Sequence, residues 1–344
     1  MLVAAWRAEC SAGRFRMNSN DVGIVVIGRN EGERLIYCLA SVTSVAGNVV
    51  YVDSGSTDGS TTAAEKTGAL VVRLDLSQPF TAARARNEGF AALKVMKPDI
   101  RFVQFIDGDC ELAAGWIKVA AAYILNQKDV AVVCGRRRER YPEQSIYNRL
   151  CDIEWDSSIG ETSVCGGDSL VRVEAFESVG GFRSELIAGE EPELCLRLRE
   201  KGWKIWRLDC EMTRHDAAMT RFSQWWLRGV RSGYGYIEVL QLHRNSPLKI
   251  YERETIRAVV WGGLVPSLIL LGTLLHPAAI VGTLIYPVQI CRIALHCGAT
   301  AYSSWAYGLF VMIAKFSELQ GILRFFRRRL AGQAGKLIEY KQAS

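Results

Sequence analysis

Two aspartates one residue apart, Asp107 and Asp109 in FIDGDCEL, follow an apolar run and are separated by Gly108. Carboxylates spaced that closely are hard donors suited to Mg2+ or Mn2+, ions that typically combine one or two carboxylates with substrate phosphates. The chemistry indicated is the handling of a nucleoside diphosphate. A surface turn uses the same letters, so the argument rests on the motif's place at the end of a strand. Gly108 is expected to let the backbone turn there, so that both acids face one ligand. A second acidic turn lies in YVDSGSTDGS, where Asp53 ends an apolar run and Ser54, Gly55 and Ser56 lead into a helix. A carboxylate at that point can accept from a base N–H or a ribose hydroxyl. Helix capping by Ser56 or Thr57 is the alternative.

The elements that position these acids are legible as an alternation. From Asp21 onward the β-rich runs GIVVI, VVYVD, ALVVRLD, RFVQFID and VAVVCG are separated by longer amphipathic stretches. This pattern predicts an α/β fold with a mostly parallel, Rossmann-like sheet covered by helices on both faces. Ligands in such sheets sit beyond the carboxyl ends of the strands, which is where VVYVD and FIDGD each deliver an aspartate. Both are therefore expected at one crevice.

Beyond about residue 255 the character changes. From Ala258 to Cys291 there is no Asp, Glu, Lys or Arg and His276 is the single histidine, and the span is too long for one membrane crossing of about 17–25 residues. His276-Pro277 near its middle predicts a helical hairpin, since proline disfavours helix continuation. Two buried helices of a soluble core are the alternative. A further apolar segment, 301–314, is interrupted by Ser303, Ser304 and Gly308, and its crossing is left open. The expected organisation is an N-terminal extension over 1–20, a catalytic domain over 21–245, a linker over 246–257, a transmembrane hairpin over 258–295 and an interfacial amphipathic tail over 296–344. Arg7 and Glu9 interrupt the apolar stretch that a signal peptide needs, so no export signal is read. Met17 stands just before the first strand and is a candidate alternative start.

Composition bounds the function classes. The 344 residues are 49% hydrophobic, enough for a sizeable core, and a formal charge of +6 is too mild to argue for nucleic acid. Two basic runs, RRRER at Arg136–Arg140 and RFFRRRL at Arg324–Leu330, read most simply as solvated faces. Ten cysteines without CxxC spacing argue against a disulfide framework or a zinc site and fit reduced thiols in the cytosol.

Taken in order, VVIGRNEGERL, VVYVDSGSTDGS, IDGD and GEEPELCLRLREKGW resemble the motifs of a family 2 glycosyltransferase of the GT-A fold, over roughly 21–245. The resemblance implies an inverting enzyme that uses a nucleotide-sugar donor and a divalent metal, Mg2+ or Mn2+. It places Ile27, Arg29, Glu31, Asp53 and Ser54 around the nucleoside, Asp107 near the ribose or phosphate, and Asp109 on the metal. Many members have two aspartates where this chain has Asp53-Ser54, which leaves open the position that touches the base. Arg84 or Arg86 of ARARNEG would approach the diphosphate, a solvated helix face being the alternative.

The family places its general base in a Glu-Asp type motif, which here reads Glu190-Glu191. Glu191 aligns with the base and Glu190 is the alternative; acids at a helix start also simply favour the helix dipole. His215 is implied as a further metal ligand, with a core histidine as the other reading. Gly167 and Asp168 in CGGDSLVR are implied on the acceptor side. The run RFSQWWLRGVRSGYGYIEV suggests an interfacial helix near the acceptor entrance. The Gln-x-x-Arg-Trp signature of processive synthases is absent, because Gln224 is followed by Arg228. The expectation is single sugar addition to a lipid-linked or cell-envelope polysaccharide acceptor, by an enzyme in the inner membrane with its catalytic domain facing the cytosol. A sugar nucleotidyltransferase is the rival of similar fold, though its glycine-rich basic loop is missing. A catalytically silent membrane scaffold is the rival from another class.

Overall fold

The structure is a computed structural model that describes residues 21–298, 302–332 and 338. The expected N-terminal extension, Met17 and most of the chain beyond 332 lie outside the described residues. The described residues divide into two compact units, one within 1–141, 151–185 and 190–217, the other within 142–150, 186–189 and 218–344.

The first unit realises the alternation. Strand β1 (Val22–Gly28) is followed by α1 (Glu33–Thr43), β2 (Val49–Asp53), α2 (Ser60–Lys66), β3 (Leu70–Arg73), α3 (Ala82–Met96) and β4 (Phe102–Asp107). A short β5 (Cys110–Leu112), α4 (Trp116–Asn126), β6 (Val130–Glu139), β7 (Gly160–Thr162), β8 (Ser169–Arg172), α5 (Glu190–Glu200) and β9 (Lys204–His215) complete the framework. The sheet runs β3-β2-β1-β4-β8-β6-β9-β5, with β7 beside β9. Its first four strands are parallel, while β8 is antiparallel to both β4 and β6. Strand order reverses between β1 and β4, which opens a crevice beyond their carboxyl ends. Both sheet faces are buried: Ile24, Val26 and Tyr51 pack on one side, Val25, Val50 and Val52 on the other. That two-sided burial explains why these strands read as continuous apolar runs.

In the second unit, α6 (Phe222–Leu242) packs against the 29-residue α9 (Tyr302–Leu330). Their backbones meet through glycines: a Cβ on Gly233 would lie 1.9 Å from the Glu318 carbonyl oxygen, and one on Gly321 2.1 Å from that of Val230. The amphipathic run expected to lie at an interface is therefore a helix whose small residues contact another helix. Gln224 reaches back to accept from the backbone N–H groups of Thr220 and Arg221, closing the first turn of α6. Between them come α7 (Glu252–Leu275) and α8 (Pro277–His296), both long and apolar enough to cross a membrane. Few of their apolar side chains are buried: Leu268, Leu271, Leu274, Leu275 and Val288 are each more than half exposed. The break falls at His276, where the ring Nδ1 accepts from Ala278 N. The apolar segment expected over 301–314 is, in its described part, the first half of α9.

Candidate active site

The loop after β1 and the loop after β2 are stitched together. Asn30 Oδ1 accepts from Thr57 N at 2.8 Å, and Asn30 N donates to Ser56 Oγ at 2.9 Å. Ser56 and Thr57 thus serve Asn30, and α2 is begun instead by Asp58, whose Oδ1 accepts from Ser60 N and Ser60 Oγ. Asp53, buried at the end of β2, accepts from Gly55 N and Ser56 N through Oδ2 and from the Tyr51 hydroxyl through Oδ1. Burial, with Asp53 alongside, pushes the Tyr51 phenol up and keeps it a donor. Past these strand ends lies a cleft of about 430 Å3 lined by Arg29, Ser54 and the segment Leu76–Phe80. The Arg29 guanidinium sits 4.8 Å from the centre of the Phe80 ring. Glu31 is paired with Arg34 at 2.9 Å. Ile27 contributes its main chain, its carbonyl accepting from Gly108 N at 2.8 Å.

That contact revises the expected role of Gly108. Its φ lies outside the left-handed region, so the turn does not demand glycine conformationally. A Cβ there would lie 3.1 Å from the Ile27 carbonyl oxygen, and close approach of two backbones is what excludes a side chain. Asp107 and Asp109 consequently meet different partners. Asp107 Oδ1 accepts from Arg86 Nη2 at 2.8 Å, whereas Asp109 Oδ2 lies 3.2 Å from His215 Nε2.

The two candidate arginines of α3 also separate. Both are buried, which excludes a solvated face. Arg84 donates to the carbonyls of Asp75 and Gln78 and so fixes the loop under the cleft. Arg86 spans Asp107 and Glu190, donating to Glu190 Oε1 at 2.9 Å. Burial works against its charge, but Asp107 and Glu190 outweigh burial and raise the guanidinium above its ordinary value.

A further, half-buried arginine of the site was not legible as such. In RRRER the side chains alternate along β6: Arg138 is exposed, while Arg137 turns inward to Asp168 Oδ2 at 2.8 Å, with Asp107 Oδ2 at 3.9 Å. The period-2 geometry of a strand was the available signal. Asp168 is wholly buried; its Oδ1 accepts from Asp107 N and its Oδ2 from Thr213 Oγ1, so it holds the Asp107 backbone in place. Gly167 has φ +68°, and a Cβ there would lie 3.0 Å from Arg137 Nη2.

His215 comes to Asp109 through sheet pairing. Strand β5, formed directly after the acidic turn, is antiparallel to β9 with Cys110 opposite His215, and Glu139 of β6 is opposite His215 from the other side. The ring meets the edge of Trp155 at 4.8 Å between centroids, and its Nδ1 faces Glu139 Oε2 at 3.9 Å. Asp109 and His215 are both buried, with Cys110 Sγ in the same group of close ligand atoms. Adjacent ligands on an octahedral ion with bonds of about 2.1 Å are about 3 Å apart, so the Asp109–His215 separation fits a small divalent cation.

The consecutive glutamates at the start of α5 diverge as well. Glu190 binds Arg86, while Glu191 Oε1 accepts from Cys165 N at 2.5 Å and from Cys195 Sγ at 3.1 Å. Asp107, Asp109, Arg86, Arg137, Glu190, Glu191 and His215 thus all belong to the first unit, around the carboxyl ends of its central strands.

Residues 23–179 match the family described as Glycosyl transferase family 2. ExoA, the succinoglycan biosynthesis protein of Rhizobium meliloti, is 26% identical over 182 residues, covering 49% of this chain and 54% of that protein. The pre-mycofactocin glycosyltransferase of Mycobacterium tuberculosis is 26% identical over 268 residues, 73% of this chain and 52% of that one. The chain spans about half the length of these curated relatives. Among solved structures, mannosyltransferase PcManGT of Pyrobaculum calidifontis, in complex with GDP-Man and Mn2+, superposes with a TM-score of 0.59 at 16% identity over 94% of both chains. Residues 23–179 thus resemble family 2 glycosyltransferases, and the fold of the chain is that of the GT-A structure it superposes on.

Proposed function

We propose that the chain is an inverting transferase that moves one sugar from a nucleotide-sugar donor to a hydroxyl of a lipid-linked or cell-envelope polysaccharide acceptor. The observation that carries this reading is the set of carboxylates, arginines and histidine assembled at the strand ends. The cleft at Arg29, Ser54 and Leu76–Phe80 takes the nucleoside, with Phe80 and Arg29 offering an apolar face and a cation. Asp109 and His215 are the residues suited to hold Mg2+ or Mn2+, which when bound would neutralise charge on the departing diphosphate. Arg86 sets the Asp107 carboxylate, and Asp168 with Arg137 sets the Asp107 backbone.

In the reaction the acceptor oxygen attacks the anomeric carbon, a new glycosidic bond forms and the bond from that carbon to the phosphate oxygen breaks. The bonding electrons leave with the nucleoside diphosphate. The acceptor proton passes to Glu191, a carboxylate oriented by the Cys165 amide and the Cys195 thiol. Glu190 is less suited, because Arg86 already holds one of its oxygens in an ion pair. Helices α7 and α8 are read as a membrane hairpin of the inner membrane, with the catalytic unit in the cytosol where nucleotide sugars are made. Arg292 near the end of the hairpin and Arg324–Arg329 on α9 then lie at the cytosolic surface, in keeping with the positive-inside tendency.

Detergent-solubilised protein incubated with a panel of nucleotide sugars should release nucleoside diphosphate from one donor class. Release should stop in chelator, return on adding Mn2+ or Mg2+, and be lost in Asp109→Ala with the fold retained. Full activity in chelator would defeat the metal-dependent reading, and no turnover with any donor would favour a silent scaffold.

A further inference from the structure

Cys165 and Cys195 are thirty residues apart in sequence, yet their sulfurs lie 3.7 Å apart. Cys195 follows Glu191 by one helical turn on α5, so the two share a face, and Cys195 Sγ is 3.1 Å from Glu191 Oε1. The three ligand atoms all lie within 4.8 Å of one another. A disulfide brings its sulfurs to about 2.05 Å. Two thiolates on one tetrahedral zinc, each at about 2.3 Å, are held about 3.8 Å apart. The observed spacing is the tetrahedral edge. We propose that Cys165, Glu191 and Cys195 form a second metal site, for a single thiophilic divalent cation of the zinc class, separate from the Asp109–His215 pair.

The donor sets divide the ions. Carboxylate with imidazole accepts Mg2+ or Mn2+, whereas two thiolates select softer ions and leave hard ones in solution. Three protein ligands leave a fourth position open, the pattern of zinc sites that take water or another small ligand. The Cys165 amide, donating to the same Glu191 oxygen, supplies the outer hydrogen bond that fixes a ligating carboxylate. Burial pushes both thiols up, so the ion must expel their protons: one cation and two thiols give one bis-thiolate complex and two free protons. An occupied site ties up the Glu191 oxygen. The resulting inhibition of transfer rests on Glu191 being the base; the binding itself does not.

The test uses the full, reduced, metal-stripped chain titrated with Co2+ as a spectroscopic substitute for Zn2+, following thiolate-to-cobalt charge-transfer absorption and proton release. The expected result is a thiolate band that saturates at one equivalent per chain with about two protons released in the same step, and loss of the band when Zn2+ is added. The band should be lost in Cys165→Ser and in Cys195→Ser but kept in Cys110→Ser, which reports on the Asp109–His215 group. Cys165 is only partly buried, so Cys165→Ser secures the result if Cys195→Ser fails to fold. Absence of a thiolate band, its survival in Cys165→Ser, or its loss in Cys110→Ser alone would overturn the proposal.

Discussion

Glu190 and Glu191 are neighbours in the chain, but their carboxylates serve different partners: Glu190 Oε1 lies 2.9 Å from Arg86 Nη1, and Glu191 Oε1 lies 2.5 Å from Cys165 N. Consecutive helical residues point about 100° apart, so one acid faces the arginine beside the acidic turn and the other faces the glycine-rich loop.

That divergence separates their variants. Glu191→Gln should lower turnover by about 10²–10⁴-fold with donor affinity retained, as expected for loss of a positioned base. Nucleotide release and donor titration measure the two quantities separately. A large turnover loss confined to Glu190→Gln would transfer the role to Glu190.

Arg86 should be a stability residue as well as a site residue. It is 2% exposed and pairs with two carboxylates, so Arg86→Met takes the cation from Glu190 and leaves Asp107 only the more distant Arg137, and should cost about 3–5 kcal/mol. Arg86→Lys keeps the charge but cannot present two donors in the same planar fork, and should fall between wild type and Arg86→Met. Urea midpoints check the order; an Arg86→Met midpoint equal to wild type would remove the ion-pair account.

The glycine contacts between α6 and α9 predict a steep steric penalty. Gly233→Ala places a methyl 1.9 Å from a carbonyl oxygen, which forces the helices apart and should cost at least about 1–3 kcal/mol. Gly47→Ala, with no atom within 4 Å of the added carbon, is the neutral control. Thermal melting of both variants in the same detergent makes the comparison, and equal losses would show that the helix contact is loose.

A membrane hairpin returns the chain to the side from which it entered. A reporter active only outside the cytosol, fused after the last residue, should therefore be silent, while a cytosolic reporter at the same place should be active. Strong signal from the first fusion would require a third crossing and overturn the hairpin. Reversing the arginines of Arg327–Arg329 to glutamates should weaken retention of the cytosolic end, since juxtamembrane basic residues contribute about 1 kcal/mol each near anionic lipid.

The layout of the first unit was readable from the residues alone. Apolar runs buried on both faces and separated by amphipathic stretches have few alternatives to a helix-covered parallel sheet, and short motifs at strand ends fall at one crevice by topology alone. The hairpin was legible for a related reason, because a long uncharged stretch and a central His-Pro are local properties. Side-chain direction was not local. Whether Arg137 belonged to a solvated face or to the site depended on the phase of β6 in the sheet, and Arg84 and Arg86 were separated only by what their helix face met. His215 reaches Asp109 because a three-residue strand after the acidic turn finds the end of β9, a pairing between segments about a hundred residues apart. The Cys165–Cys195 approach is equally invisible to spacing, since one sulfur comes from a loop and the other from a helix. Hydrophobic pattern fixes which face of an element is buried; which two buried faces meet is decided by the packing of the whole sheet.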